Sequence, residues 1–374
     1  MAGQHALLSP SSAHIWLNCP PAARLAAQYD DPGSLYAQQG SDAHELCEFK
    51  LLAALGQPCD DPREHLAFYD SEMERCSEDY ATFVVDTIEG IRENCPDPTV
   101  LVEQQLDLSR YIKDGFGRGD CVIVADGVMH IVDFKYGVGV LVSAEHNPQM
   151  MLYALGALEL LDSLYDFDRV SMTIFQPRRD NVSTWEISKA ELVHWATETL
   201  IPAAKLAYEG KGEFKAGDHC LFCKAKANCR KRAEYNLELA RYDFEKPELL
   251  EDTEIAAILE RVDQLVSWAE DVKAFALAEA LHGVKYDGFK VVEGRSIRKY
   301  TDEAAVAEAV AAEGKDPYEK KLRGITDMTA LLGKKDFERI LGSLVHKPSG
   351  KPVLVRESDK RPEYNTAATD FTDK

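Results

Sequence analysis

No hydrophobic run in this 374-residue chain approaches the ~20 residues that a membrane span needs. The opening, MAGQHALLSPSSAH, has neither the basic start nor the apolar stretch of a secretory signal. No membrane association is expected, and the protein is expected in the cytoplasm. There is no internal repeat and no low-complexity block. There is also no Gly-Lys phosphate loop or helicase motif, so no ATP-driven motor is encoded. Positive charge is scarce early on. Residues 1–210 hold 14 Lys and Arg against 33 Asp and Glu, and so carry nearly all of the chain's net charge of −21. A polyanion should be repelled there unless metal ions or a local basic patch intervene.

What is present is ordinary for a globular protein of two or three domains, with 45% hydrophobic and 29% charged residues. Nine cysteines are few for a secreted disulfide scaffold of this length. In a reducing compartment they should be free thiols, and clustered ones suggest a metal site.

Periodicity divides the chain. Ser9 or Ser11 can cap a short helix around Ala13–Leu17, interrupted by Pro20-Pro21. Helices are expected from about Ser41 to Leu55 and over 71–94. The period then shortens. VLVEQQLDL (100–108) alternates as a strand does. GDCVIVA (119–125), Asp126-Gly127 and VMHIVDFK (128–135) form a hairpin around the preferred two-residue turn. A helix over 147–162, strands over 169–177 and 183–188, and a helix over 191–210 complete the middle. Residues 250–282 carry one long helical pattern. GFKVVEGRSIRKY (288–300) suggests a hairpin, and 301–345 suggests short helices. The fold class is therefore α/β, a mixed central sheet flanked by helices, with a cysteine-cluster segment and a mostly helical C-terminal region. Three parts are expected: a core over 1–235, a helical accessory region over 246–345 and an extended polar tail over 346–374.

The hairpin carries the first chemical signal. With Asp126-Gly127 as the turn, Ala125 faces Val128, and counting outward sets Asp120 opposite Asp133. Their Cβ atoms should be about 4.5–5.5 Å apart on one sheet face. Lys135, two residues on, shares that face. Opposed carboxylates repel unless a cation lies between them. A divalent metal or Lys135 can supply it, as metal-assisted phosphodiester hydrolysis requires. The plain alternative is a turn aspartate beside an exposed Asp133–Lys135 ion pair.

The second signal is Cys220, Cys223 and Cys229, spaced C-x2-C-x5-C. Three thiolates leave a fourth position open, to His219 for zinc, or to Cys19 for zinc or a [4Fe–4S] cluster. Around them lie Lys211, Lys215, Lys224, Lys226, Arg230, Lys231 and Arg232, either the local positive patch that an acidic protein needs for DNA or a solvated loop. Lys285, Lys290, Arg295, Arg298 and Lys299 make the 288–300 segment a further candidate contact.

Taken in order, these residues resemble the RecB-like branch of the PD-(D/E)XK nuclease superfamily. They resemble especially its iron–sulfur members, such as the AddB nuclease domain and the CRISPR-adaptation nucleases, and an uncharacterised family of phages and prophages. LSPSSAHIWLNCP (8–20) is similar to the family's opening Ser-Pro-Ser helix ending in Cys-Pro. GSDAHELCE (40–48) is similar to its G-T-x-x-H-x-x-x-E helix, marking His44 and Glu48. GRGDCVIV (117–124) is similar to its G-x-x-D strand, marking Asp120. IVDFKYG (131–137) is similar to V-D-[YF]-K-[TS]-G, marking Asp133 and Lys135, with Tyr136 where Thr or Ser is common. QMMLY (149–153) is similar to Q-x-x-x-Y, marking Gln149 and Tyr153. The resemblance spans about residues 8–232 and leaves 246–374 without a counterpart.

The resemblance implies a restriction-endonuclease-like core and a metal-dependent deoxyribonuclease, by expectation an exonuclease in phage or bacterial DNA recombination or processing. It implies Mn2+ or Mg2+ on His44, Asp120 and Asp133, with the Phe134 carbonyl as a further ligand. Lys135 would position the attacking water, and Gln149 and Tyr153 would touch the DNA backbone or hold Lys135. It favours Cys19, Cys220, Cys223 and Cys229 as ligands of a [4Fe–4S] cluster over a zinc site with His219. DNA is the expected partner, with a recombination or replication protein beside it. Two other readings stay open: a non-catalytic DNA-binding or recombination accessory protein of this fold, and a zinc-stabilised interaction protein.

Overall fold

The computed structural model describes residues 6–29, 35–125, 127–239, 250–292, 300–318 and 322–346. It divides into two compact units, Met1–Glu279 and Ala280–Lys374.

The first unit is built on a five-stranded sheet in sequential order: β1 (Thr99–Asp107), β2 (Phe116–Ala125), β3 (Gly127–Phe134), β4 (Phe167–Gln176) and β5 (Asn181–Ser188). Every neighbouring pair is antiparallel except β3 and β4, which run parallel. The α/β class with a mixed sheet is thus what the chain adopts. Parallel neighbours need a crossover, and α5 (Pro148–Leu161) provides it. The hairpin register is the one that the turn predicts: Ala125 faces Val128 and Cys121 faces Val132. Asp126 lies outside the described residues; Gly127 takes a φ of 78°, which the tight turn requires.

β2 is buried on both faces, so it reads as a continuous apolar run. Val122 and Val124 join a core with Met129, Ile131 and the apolar face of α5. Cys121 and Ile123 join the opposite core, with α3 (Leu35–Ala54) and α4 (Ser71–Arg92). Gly156 brings α5 close to β1: a Cβ there would lie 2.7 Å from Leu106 Cβ. α1 (Ala13–Trp16) and α2 (Ala22–Ala26) pack near the sheet's α5 side, with Trp16 fully buried.

Helix bounds differ from expectation in three places. α3 begins at Leu35, not Ser41, because its first turn is exposed and carries no apolar period to announce it. The 191–210 helix is α6 (Lys189–Trp195), a π turn (Ala196–Leu200) and α7 (Ile201–Glu209). Pro202 removes a donor and crowds the carbonyl four residues back, which the wider turn relieves. After α8 (Arg230–Leu237), the long 250–282 pattern is two helices, α9 (Asp252–Leu259) and α10 (Val262–Leu281). At the break Arg261 donates to the Tyr235 carbonyl and pairs with Glu238 at 3.0 Å.

The second unit holds α11 (Glu303–Ala312), α12 (Ile325–Leu332) and α13 (Lys334–Leu341), as expected of short helices. Residues 288–292 form no strand, and residues 293–299 of that expected hairpin, with Arg295, Arg298 and Lys299, lie outside the described residues, as do 347–374. Among the described residues, no helix is long and apolar enough to cross a membrane.

Candidate functional site

β2 outruns β3: its first residues pair only with β1, and the β2–β3 ladder ends at Cys121–Val132, one step short of the expected Asp120–Asp133 pair. The space there collects side chains from four elements. Asp120 of β2 accepts a hydrogen bond from the Phe134 backbone N–H at 2.7 Å. His44, midway along α3, brings Nδ1 to 3.3 Å from Asp120 Oδ2 and meets the Phe134 ring edge-on. Lys135 Nζ lies 2.7 Å from Asp133 Oδ2. Asn147 caps α5, accepting from the N–H groups of Gln149 and Met150, and Pro148 fills its first turn. That start aims Gln149 at the site, with Nε2 2.9 Å from the Tyr153 hydroxyl and 3.5 Å from Asp133 Oδ1. Gln149 thus reaches Asp133, the same carboxylate that pairs with Lys135. Tyr153 is buried in the core beneath it.

One member was missed. Glu103 of β1 lies between the pairs Val102–Cys121 and Gln104–Gly119, across from Asp120. It takes a left-handed φ of 49°, a strained state for a non-glycine residue. One ligand atom each from His44, Glu103 and Asp120 lies within 4.8 Å of the other two. Arg118 Nε pairs with Glu103 Oε2 at 2.7 Å, and the same guanidinium reaches Glu48 at 3.5 Å. The sequence signal was an acid directly after the apolar run Val100–Val102 of an expected strand. The eight-residue β1–β2 connection does not fix a register, so its partner could not be read.

The electrostatics are those of a site short of positive charge. Burial pulls the His44 imidazole down, but the charges of Asp120 and Asp133 outweigh it and raise it to about 9. Burial and the neighbouring Asp120 push Glu103 up to about 8. Burial works against the Asp120 charge, yet His44, Lys135 and the Phe134 amide hold its carboxyl below the ordinary range. Asp133 moves up, by burial and by Asp120, against the pull of Lys135. Burial lowers Lys135 less than Asp133 and Asp120 raise it. Protons on His44 and Glu103 thus supply the balance that a divalent cation would supply. Imidazole and carboxylates suit Mn2+ and similar ions.

The cysteine segment forms a second centre. Cys19, His219, Cys220, Cys223 and Cys229 line one pocket, together with Lys215, Lys226 and Arg232. No cysteine among the nine is in a disulfide. Residues from both ends of the core are strapped together here: Tyr29 donates to Asn228 Oδ1 at 2.9 Å, Arg24 to the Tyr208 carbonyl at 2.7 Å, and the Lys215 N–H points to Cys19 Sγ at 3.5 Å. A ring nitrogen of His219 lies 2.9 Å from the Lys215 carbonyl. A hydrogen bond to Cys19 raises the His219 pKa against burial. A set of four soft thiolates fits an iron–sulfur cluster or zinc.

The basic patch needs correction. Arg232 is buried and its Nη1 lies 2.5 Å from Asp271 of α10, and Lys226 pairs with the same carboxylate at 2.8 Å. Asp271 of α10 neutralises both, so neither offers an unpaired charge to DNA. Lys224, Arg230 and Lys231 are exposed, Lys231 lying 3.6 Å from Glu234.

A mixed α/β protein with a carboxylate–histidine–lysine site and a four-cysteine pocket is the class that fold and geometry define. The chain belongs to the DUF2800 family, described as a protein of unknown function, whose model matches residues 5–362. A solved structure described as the crystal structure of SSO0001 is similar over 50% of this chain and 95% of its own, at 13% identity and a TM-score of 0.24, a likeness too slight to carry an argument.

Proposed function

We propose that this protein is a metal-dependent deoxyribonuclease of the RecB-like kind, an exonuclease acting in phage or bacterial DNA recombination or processing. The observation that carries the reading is that His44 of α3 sits on Asp120 of β2, Lys135 and Gln149 of α5 sit on Asp133 of β3, and the two carboxylates feel each other's charge. His44, Asp120 and Asp133 would hold Mn2+ or Mg2+, with Glu103 beside them. A divalent ion bound there would polarise a phosphate and lower the pKa of its water. Lys135, pinned on Asp133, orients the attacking water or meets charge developing on the phosphate. The Phe134 amide fixes Asp120, and Gln149 steadies Asp133. Because imidazole suits Mn2+ better than Mg2+, Mn2+ should be preferred. The motif resemblance over residues 8–232 supports a [4Fe–4S] cluster on Cys19, Cys220, Cys223 and Cys229, with zinc as the alternative. Such a centre would staple the N-terminal segment to the far end of the core.

Protein purified without oxygen, incubated with end-labelled single- and double-stranded DNA in Mn2+, tests this reading. Cleavage by the wild type and none by Asp133→Ala is the expected result. No cleavage by either, with the cysteine centre loaded, would favour the second reading, a DNA-binding or recombination accessory protein. That reading draws on the acidity of residues 1–210, which also suits a recombination or replication partner that delivers the DNA.

A further inference from the structure

Directly past Lys135 and the buried Tyr136, residues Gly137–Val142 expose three branched aliphatic side chains: Val138 at 43%, Val140 at 52% and Leu141 at 59%. Surface loops are usually polar and mobile. This one is apolar, and its backbone is held. Gln176, at the end of β4 and 1% exposed, donates to the carbonyls of Gly137 at 2.7 Å and Val140 at 2.8 Å, and its Oε1 accepts from the Val142 N–H at 3.3 Å. Asn181 donates to the Val142 carbonyl at 2.9 Å and Arg179 to the Val138 carbonyl at 3.1 Å. A buried amide with both ends spent on one loop fixes that loop's shape, because releasing the loop would leave the amide unsatisfied. Arg179 is exposed, and among the described residues no carboxylate pairs with it. The segment is therefore a rigid apolar tip with a cation at its base, continuous in sequence with Asp133 and Lys135.

We propose that Val138, Val140 and Leu141 form a wedge that enters the end of a DNA duplex, unstacks its terminal bases and frees one strand for the Asp133–Lys135 site. The inference rests on the nuclease reading and deepens it by naming the substrate, a duplex end opened by the protein itself. Aliphatic side chains inserted between base steps are a known means of unstacking. They lack the flat face on which a single strand would stack, so opening fits them better than platform binding. Arg179 is placed to take a backbone phosphate and set the register of the entering end.

The test uses the full chain and two readouts. With Lys135→Gln to stop cleavage and Ca2+ in place of Mn2+, a blunt duplex carrying 2-aminopurine beside its end should brighten on binding. Adding Val138→Ser, Val140→Ser and Leu141→Ser should abolish the rise. In the otherwise unaltered chain, the triple serine variant should cut blunt duplex at least about tenfold more slowly, yet cut the same strand presented alone within about twofold. These positions are exposed, so the fold should survive, as an unchanged thermal midpoint would verify. Equal losses on both substrates, unchanged duplex cutting, or fluorescence that rises without the wedge would overturn the wedge and leave the nuclease standing. Failure of the wild type to bind or cut either substrate would overturn both.

Discussion

Mn2+ binding should expel protons, and the site sets how many. His44 titrates near 9 and Glu103 near 8 in the metal-free protein. At pH 7 both groups therefore hold their protons for the most part. A metal ligand must give up its proton. Occupancy through the His44 imidazole therefore releases about one proton, and ionisation of Glu103 beside a dication releases up to about one more. The apparent affinity should rise about 10- to 100-fold per pH unit between about pH 6 and 8 and level off above about pH 9. Isothermal titration in buffers of different ionisation heat counts the protons directly. His44→Gln should lower the count by about one, and Glu103→Gln should remove the other. The metal-free protein should show the matching trend in stability. His44 is raised above its unfolded value of 6.5, so its contribution is complete below that pH and is lost as pH rises through about 9. Glu103, raised from 4.5 to about 8, also favours its protonated form, so its cost grows over that interval. Both signs agree: thermal stability without metal should fall from pH 6.5 toward 9, and Mn2+ should restore it. Affinity that stays flat from about pH 6 to 8 would refute the assignment of His44 as a ligand.

Cys220→Ser should lose bound iron or zinc and about 2–5 kcal/mol of stability, the scale of other cross-links over long loops; metal content and denaturant titration read both, and a colourless variant of full stability would contradict a stapling role. Asp271→Ala strands the buried Arg232 guanidinium and should cost about 3–5 kcal/mol, whereas Arg232→Met with Asp271→Leu should recover most of it. A cost below about 1 kcal/mol for the single change would mean that the pair is solvated. Gly156→Ala drives a methyl into Leu106 and should cost about 1–3 kcal/mol by thermal unfolding, with no effect if α5 can shift.

The parts legible in the sequence were those set by local geometry. Asp126-Gly127 dictates a two-residue turn, so the β2–β3 register, and with it the approach of Asp120 to Asp133 and Lys135, followed from counting. The apolar run over 147–162 marked α5, and the resemblance of QMMLY to Q-x-x-x-Y singled out Gln149 on it. What escaped depends on contacts distant in sequence. Glu103 and Arg118 meet Asp120 and Glu48 only once β1 has found its register and α3 has docked. Arg232 and Lys226 looked like free cations because Asp271, which neutralises them, lies some 40 residues later on α10. Nothing marked Gln176 within the strand expected over 169–177, because its hold on the Gly137–Val142 loop arises only when parallel pairing brings β4 beside β3.

The most direct test of the central claim is an anomalous-scattering map from crystals of the full chain grown with Mn2+. A peak bonded to the His44 imidazole and the carboxylates of Asp120 and Asp133 is the expected result. A fully ordered site with no peak there, or manganese bound only elsewhere, would contradict it.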